Sequence, residues 1–205
     1  MRNRFFSLLI GYLFGCILTA EIVSYCRTGK SAREIGSGNP GMANIMSNLG
    51  KIPGILTLLG DIAKTAAAMG ISALLFVERS GRICIQYAGL GAVLGHNFPF
   101  WRRGKGGKGV TVTCTWIIFA YGIWGVLADL CGAAVVFVTG WLPLAAVVLT
   151  IAALPVAFVS AGLEGGLLAV CSLLLMISRH WHGLHRIIRG EEAPHLKLLG
   201  RKSSK

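Results

Sequence analysis

The sequence predicts an all-α polytopic membrane protein with about seven transmembrane helices, whose motif-bearing loops face the cytoplasm. Of the 205 residues, 54% are hydrophobic and 14% are charged, and the mean hydropathy is +0.68. Long apolar runs recur along the chain, and the basic residues collect in the gaps between them. This combination lies outside the range of ordinary soluble domains and excludes a soluble enzyme.

The apolar runs predict the membrane spans. They lie at about 5–26, 53–77, 83–100, 109–140, 141–163 and 165–178. A helix that crosses the hydrocarbon needs roughly 20 residues, so the run at 109–140 is too long for one helix. We expect it to split between Gly122 and Gly125. The run at 5–26 is too long for a cleaved signal peptide and predicts the first span.

The basic residues predict the orientation. Fifteen of the twenty lysines and arginines lie in the first loop, the third loop and the C-terminal tail. The positive-inside rule places these regions in the cytoplasm and the N-terminus outside. Arg2 and Arg4 oppose this orientation and two spans are short, so a half-inserted segment is an alternative. We expect one domain over 1–205, with a basic cytoplasmic tail at about 190–205.

The formal net charge of +12 indicates anionic partners. Because few aromatic residues interleave with the basic ones, we expect no binding to nucleic acid. Anionic lipid head groups and phosphorylated small molecules fit this charge distribution better.

No metal site and no cofactor are expected. The cysteines form no close pair of the kind found in metal knuckles. His96, His180, His182 and His185 loosely resemble a ligand cluster, but no cysteine or carboxylate completes the set. At the membrane edge, either His96 or His180 could orient or deprotonate a hydroxyl.

A glycine-rich segment, Gly-Ser-Gly-Asn-Pro-Gly at 36–41, follows the first span. Its spacing matches the dinucleotide-binding pattern, but that pattern has meaning only between a strand and a helix. We expect a tight turn that presents the polar groups of Ser37, Asn39 and Asn44 to a ligand. A plain interfacial loop is the alternative.

A second glycine-rich segment, Lys-Gly-Gly-Lys-Gly at 105–109, leads directly into the apolar run at Val110. A helix N-terminus offers free N–H groups and a dipole that favour an anion. The segment is not a Walker A loop, because Lys108 is followed by Gly109 rather than Ser or Thr. We expect a phosphate-binding loop, with a lipid head-group anchor as the alternative.

Charged residues also occur inside the apolar runs. Asp61 and Lys64 stand three residues apart, which places them on one helix face where they can pair. The pair either fixes helix packing or takes part in substrate binding.

Taken in order, these motifs resemble the bacterial acyl-phosphate:glycerol-3-phosphate acyltransferase family, PlsY. The resemblance covers nearly the whole chain. It is carried by Ser37-Gly38-Asn39-Pro40-Gly41 with Asn44, Asp61 with Lys64, Gly95-His96 with Pro99, Lys105-Gly106-Gly107-Lys108-Gly109-Val110, and Arg179-His180 with Arg186 and Glu192.

The resemblance implies a seven-helix enzyme of the bacterial inner membrane that acts in phospholipid biosynthesis. It implies transfer of an acyl chain from acyl phosphate to glycerol 3-phosphate, which yields lysophosphatidate and phosphate without acyl-CoA or a metal. The implied partners are the acyl phosphate donor, glycerol 3-phosphate or another small acceptor, membrane lipids and an enzyme that produces acyl phosphate.

We expect three catalytic residues, His96, His180 and Lys105, with the substrate's own phosphate as an alternative proton acceptor. Arg186 is expected to pair with Glu192. The expected phosphate- and substrate-binding residues are Ser37, Gly38, Asn39, Gly41, Asn44, Gly106, Gly107, Lys108, Gly109, Arg186 and Glu192.

The chain departs from the family pattern at several polar positions. Ala43 replaces a threonine, Ser47 an arginine, Pro143 a serine and Gly183 an asparagine. Pro194 replaces a lysine. These losses predict weakened glycerol 3-phosphate binding, a different acceptor, or a non-catalytic protein that binds lipid or acyl phosphate and regulates a true acyltransferase.

Overall fold

The computed structural model describes residues 1–194, and all regular elements in this range are helices. The predicted all-α class is confirmed. Most of the predicted basic tail, residues 195–205, lies outside the described residues. The α-helices are α1 Arg2–Gly15, α2 Thr19–Thr28, α3 Met42–Leu49, α4 Lys51–Ser80, α5 Ile83–Asn97, α6 Val110–Tyr121, α7 Ile123–Thr139 and α8 Leu142–Ile188.

Three helical stretches, Arg2–Thr28, Lys51–Ser80 and Leu142–Ile188, are long and apolar enough to cross a membrane. Their outward faces carry large apolar side chains, such as Leu74 and Val159, which are 86% and 88% exposed. Such a surface is stable in hydrocarbon and would aggregate in water.

Two glycines divide long apolar runs into separate helices. Gly122, at φ 60° and ψ −129°, separates α6 from α7, which confirms the predicted split. Gly162, at φ 63° and ψ −165°, breaks α8 into halves at 142–161 and 163–188. The halves are antiparallel, because Pro143 near the start of the first contacts Gly183 near the end of the second. Glycine reaches these backbone angles without the steric cost that other residues incur.

The first apolar run is not one continuous helix as predicted, since it breaks at residues 16–18. The break frees backbone carbonyls, which polar side chains then satisfy. The ammonium of Lys64 donates to the carbonyl of Ile17 at 2.7 Å, and the indole of Trp101 donates to that of Cys16 at 2.8 Å. Buried carbonyls need such partners where no water reaches them.

The last helix is longer than predicted. It continues to Ile188, so His180, His182 and His185 lie on a helix and not in a loop after the last span. Regular 3.6-residue periodicity therefore fixes which side of α8 each of these polar side chains occupies.

Glycines allow α1 and α5 to pack at very short distance. A Cβ at Gly15 would lie 2.3 Å from the carbonyl oxygen of Ala92, and one at Gly95 would lie 2.1 Å from that of Tyr12. Small residues four apart on facing helices are typical of membrane helix pairs. This contact places the C-terminal end of α5, with His96, beside the break between α1 and α2.

The helix order brings the motif-bearing segments to one end of the molecule. The first loop, the loop after α5, the N-terminus of α6 and both ends of α8 meet there. Because α6 and α7 have only 12 and 17 residues, the count of seven spans stays a prediction.

Candidate active site

A cavity of about 350 Å³ opens at the end where these segments meet. This volume suits a small ligand with a few directing polar groups. The lining residues are Ser37, Asn39, Gly41, Met42, Ala43, Asn44, Ser47, Asn48, Asp61, His96, Lys108, Gly109, Val110, Thr111, Leu142, Pro143, His180, Arg186 and Glu192.

Asn44 organises the first glycine-rich turn. Its Oδ1 accepts from the backbone N–H of Ser37 at 2.9 Å, and its Nδ2 donates to the carbonyl of Ile35 at 2.9 Å. The amide of Asn48 also donates to Asn44 Oδ1, at 3.1 Å. Asn44 is therefore committed to holding the turn, while Ser37, Asn39 and Gly41 face the cavity. Gly38, at φ 70°, forms the turn without lining the cavity.

The second glycine-rich segment packs against the end of α5. The N–H of Gly106 donates to the carbonyl of Asn97 and that of Gly107 to the carbonyl of His96, both at 3.0 Å. These two N–H groups are thus used within the protein, contrary to the expected phosphate contacts. Neither position has room for a side chain, since a Cβ at Gly107 would lie 2.2 Å from Nε2 of His96.

Two arginines donate hydrogen bonds to the backbone carbonyls of this loop. The guanidinium of Arg179 donates to the carbonyls of Gly106 at 3.0 Å and Gly107 at 3.2 Å. Arg33 donates to the carbonyl of Lys105. Lys105 itself is exposed and does not line the cavity, so its expected catalytic role receives no support from its position.

The loop ends at the N-terminus of α6, where anion-binding groups remain. Gly109, at φ 80°, is the N-cap, and its carbonyl accepts from Thr113 N–H at 2.9 Å. The N–H groups of Val110 and Thr111 precede that first helical bond and have no partner within the helix. Both residues line the cavity beside Lys108.

Lys108 is the cation best placed for a phosphate. Within residues 1–194 it belongs to no ion pair of 4 Å or less. Burial lowers the pKa of Lys108; Glu192 opposes this shift, and the positive charges of Arg186 and Arg179 add to it. An anion bound in the cavity would oppose this shift and favour the charged form.

The expected pair of Arg186 and Glu192 is present in the structure. The guanidinium Nε lies 2.5 Å from Oε2 of Glu192, whose side chain is 3% exposed. The indole of Trp141 also donates to the backbone carbonyl of Glu192, at 3.2 Å. These contacts close the cavity with the segment that follows α8.

A buried polar cluster lies at the floor of the cavity. Lys64 Nζ is 2.7 Å from Oδ1 of Asp61 and 2.9 Å from Nδ1 of His96. The hydroxyl of Thr19 donates to the same carboxylate oxygen at 3.3 Å. The predicted pairing of Asp61 with Lys64 is thus present, and it includes His96. In the described part of the chain, no three His, Cys, Asp or Glu side chains are grouped as metal ligands.

The second cavity histidine lies on the second half of α8. His180 is 2% exposed, and its Nδ1 lies 3.0 Å from the carbonyl of Met176, one turn earlier. It lines the same cavity as Asp61 and His96, which belong to α4 and α5.

The arrangement has counterparts among known proteins. A family model described as glycerol-3-phosphate acyltransferase matches residues 5–190. The chain belongs to the glycerol-3-phosphate acyltransferase family. Its members are acyltransferases, and this chain is an enzyme of that class.

Individual relatives match over most of their lengths. Glycerol-3-phosphate acyltransferase 1 of Lactobacillus johnsonii is 42% identical, with 85% of this chain and 84% of the relative covered. The glycerol-3-phosphate acyltransferase of Laribacter hongkongensis is 33% identical, with 97% and 98% covered.

Two solved structures share the fold. One is a crystal structure of PlsY, an integral membrane glycerol 3-phosphate acyltransferase, in its glycerol 3-phosphate form. It matches with a TM-score of 0.82 and 28% identity over 93% of this chain and 94% of the other. The lysophosphatidic acid form gives a TM-score of 0.81 and 26% identity, with the same coverage. This chain is accordingly an integral membrane member of the acyltransferase family.

The positions at which we expect departures from the family pattern lie at or next to the cavity. Ala43, Ser47 and Pro143 line it. Gly183 lies directly behind Pro143, since a Cβ there would be 2.5 Å from the proline Cγ. Residues 143 and 183 are therefore direct neighbours at the wall of the acyltransferase cavity.

Sequence reasoning missed several functional contacts in this acyltransferase. Asn48 lines the cavity and supports Asn44, and their i, i+4 spacing in α3 is the signal that could have found it. Met42 and Leu142 add apolar side chains to the cavity wall. The clamp from Arg179 to the glycine loop has no sequence signal, because the residues are more than seventy positions apart.

Proposed function

We propose that this acyltransferase transfers an acyl chain from acyl phosphate to glycerol 3-phosphate and releases lysophosphatidate and phosphate. The observation that carries the proposal is the convergence on one cavity of Lys108, an open helix N-terminus and two histidines, with Lys108 in no ion pair within residues 1–194. This set binds phosphate groups and serves a hydroxyl nucleophile.

The cavity residues suit an acyl donor whose carbonyl group is already activated. Within residues 1–194, neither cavity histidine is hydrogen-bonded to a serine or cysteine, so no nucleophile–base pair is assembled. Acyl phosphate is a mixed anhydride with a good leaving group, so direct attack by the acceptor hydroxyl suffices. The protein then has to bring two anions together and neutralise charge, which Lys108, Arg186 and the α6 N-terminus would do.

The solved relatives supply the acceptor and product of the proposal. They are described as glycerol 3-phosphate and lysophosphatidic acid forms of PlsY. The apolar side chains of Met42, Val110 and Leu142 offer a surface for the first part of an acyl chain in the same cavity.

The location follows from the charge pattern. The basic motif end would face the cytoplasm of a bacterium, with the apolar helices in the inner membrane. Because acyl phosphate hydrolyses readily in water, an enzyme that produces it at the same membrane is the proposed functional partner.

A different acceptor is a second candidate. Ala43 and Pro143 remove polar groups from the cavity wall where the family pattern has hydroxyls, and both line the cavity here. A less polar or differently shaped hydroxyl compound would fit such a wall.

The test is product analysis by the purified protein in detergent or lipidic mesophase. Palmitoyl phosphate is supplied with and without glycerol 3-phosphate, and lysophosphatidate is measured by mass spectrometry. Acceptor-dependent lysophosphatidate supports the proposal. Saturable donor binding without that product, with turnover appearing only when other hydroxyl compounds are added, would favour the second candidate. Donor binding with no turnover at all would indicate a regulator.

A further inference from the structure

We propose that the end of the molecule opposite the active site binds the head group of an anionic phospholipid. The binding surface forms where the N-terminal end of α1 meets the C-terminal end of α4. We call it the arginine surface, after Arg2, Arg4 and Arg79. It goes beyond the proposed function, because none of these residues lines the active-site cavity.

The arginine surface encloses a cavity of its own, of about 460 Å³. The lining residues are Met1, Arg2, Asn3, Arg4, Arg79 and Ser80. The side-chain amide of Asn3 donates to the hydroxyl of Ser80 at 2.9 Å, which joins the two helix ends.

This cavity and the active site lie at opposite ends of α1. The carbonyl of Gly15, the last residue of α1, accepts from Lys64 at the active-site floor, at 3.4 Å. Since α1 has 14 residues, it rises about 20 Å between Arg2 and that carbonyl. The arginine surface therefore faces the other side of the membrane.

Arg4 forms the fixed wall of the arginine surface. Its guanidinium donates to both carboxylate oxygens of Glu164, at 2.5 and 2.8 Å. The hydroxyl of Tyr87 donates to the same carboxylate at 2.9 Å. The charge of Arg4 is thus matched within the protein, and its side chain is held in one position.

Arg2 and Arg79 supply the charge that is not matched. Both are exposed, and neither belongs to an ion pair of 4 Å or less in the described range 1–194. Arg82, also exposed, adds a third positive charge just after α4. Glu78 precedes Arg79 in sequence but does not line this cavity. Guanidinium groups present forked N–H donors that match the oxygens of a phosphate.

An outward-facing apolar strip continues from the arginines and indicates a lipid rather than a free ion. Phe5, Phe6 and Leu9 of α1 are exposed. The ring of Phe6 stacks on that of Phe76 in α4, with centroids 6.5 Å apart, so the strip spans both helices. A phospholipid can place its phosphate on the arginines and its acyl chains on these side chains. A free phosphate ion would gain nothing from the strip.

An anionic head group would also offset an unfavourable feature of the proposed orientation. With the active site in the cytoplasm, the arginine surface lies outside, where the positive-inside rule disfavours basic residues. A phosphatidylglycerol head group carries the negative charge that such a surface attracts.

The test is photo-crosslinking of the full-length protein in vesicles of equal parts phosphatidylglycerol and phosphatidylcholine with the same acyl chains. The photoreactive residue p-benzoylphenylalanine is incorporated in place of Phe5, and the attached lipids are identified by mass spectrometry. We expect about threefold or more phosphatidylglycerol over phosphatidylcholine. The matched control position is Ile123, which is exposed at the start of α7 in the uncharged stretch 118–128. It should capture the two lipids equally, and equal capture at position 5 would overturn the proposal.

Charge variants test whether the arginines cause this preference. Arg2→Gln/Arg79→Gln keeps the Arg4–Glu164 pair, so the protein should fold, and the preference at position 5 should disappear. Arg27→Gln/Lys30→Gln removes two exposed charges near the other end of the molecule and should leave the preference unchanged. A preference that survives Arg2→Gln/Arg79→Gln, or that falls equally in both variants, would refute the arginine surface.

The outcome is separable from the proposed function. Lipid capture at position 5 requires no turnover, so an inactive protein could still show the preference. Equal capture of the two lipids would refute the arginine surface and leave acyl transfer standing.

Discussion

Lys108 is the residue on which we expect phosphate binding to depend most. Its side chain lines the cavity, whereas Lys105, three positions earlier, is exposed. We expect Lys108→Ala to lower kcat/KM by about 100-fold to 1,000-fold, because it removes a half-buried charge that would meet an anionic transition state. Lys105→Ala and Lys30→Ala, at exposed positions, should change it less than about threefold. Equal losses in Lys105→Ala and Lys108→Ala would contradict the geometry.

The charge of Lys108 also predicts the alkaline limb of the pH profile. Burial lowers the pKa of this ammonium, with Arg186 and Arg179 adding to the shift and Glu192 opposing it. A lowered pKa means that the cation is present at low pH and is lost, as pH rises, earlier than for an ordinary lysine. Activity should fall in that range, and Lys108→Arg should move the limb to higher pH. An unchanged limb in Lys108→Arg would assign it to another group.

The sequence identifies which segments carry the functional residues, but not which side chain within a segment faces the cavity. The sequence does not distinguish Lys105 from Lys108 as the phosphate-binding residue. The structure does, because Arg33 and Arg179 hold the loop with Lys108 facing the cavity.

At the scale of elements, the glycine loop at 105–109 packs closely over the C-terminal end of α5. Gly107→Ala would place a Cβ 2.2 Å from the His96 ring, which Lys64 holds in place, so the loop must move. We expect turnover to drop by about 100-fold while the protein remains folded by circular dichroism. Gly70→Ala is the matched control, since nothing lies within 4 Å of its Cβ position in the middle of α4. A comparable loss in that variant would indicate general damage.

The two halves of α8 predict a coupled pair of substitutions. Gly183→Asn alone would collide with Pro143, whose Cγ lies 2.5 Å from the new Cβ, so it should be destabilising and inactive. Pro143→Ser removes the Cγ and leaves the Cβ of residue 143, at 2.9 Å, as the nearest atom, so a small shift accommodates the asparagine. The double variant Pro143→Ser/Gly183→Asn would then carry the polar side chains that we expect from the family pattern. We expect a large non-additive interaction in the KM for glycerol 3-phosphate. Additive effects would mean that the two positions are independent.

Helix boundaries were predictable where length alone decides them. The run at 109–140 exceeds one membrane crossing, and the structure divides it at Gly122 as expected. The break at 16–18 follows Gly15 but contains no proline, and its freed carbonyls are satisfied by Lys64 and Trp101 from other elements, which the local sequence does not reveal. The extension of α8 to Ile188 was missed since its basic residues resemble a loop after a span.

At the scale of the whole molecule, the site can form only if α1 and α5 pack closely, because this contact places His96 beside the break between α1 and α2. Gly95→Ala would push a Cβ to 2.1 Å from the carbonyl oxygen of Tyr12, and two backbones cannot adjust without separating. We expect a loss of about 1–3 kcal/mol in stability, measured as thermal unfolding in detergent, together with lower activity. A variant as stable as the wild-type protein would show that the helices are less closely packed than described.

The central claim is that one cavity couples donor cleavage to acceptor acylation. The most direct test is the ratio of phosphate released from palmitoyl phosphate to lysophosphatidate formed, followed together over time with glycerol 3-phosphate present. We predict a ratio of one to one in the wild-type protein and loss of both products in Lys108→Ala. Phosphate release without lysophosphatidate, or lysophosphatidate formation unaffected in Lys108→Ala, would contradict it.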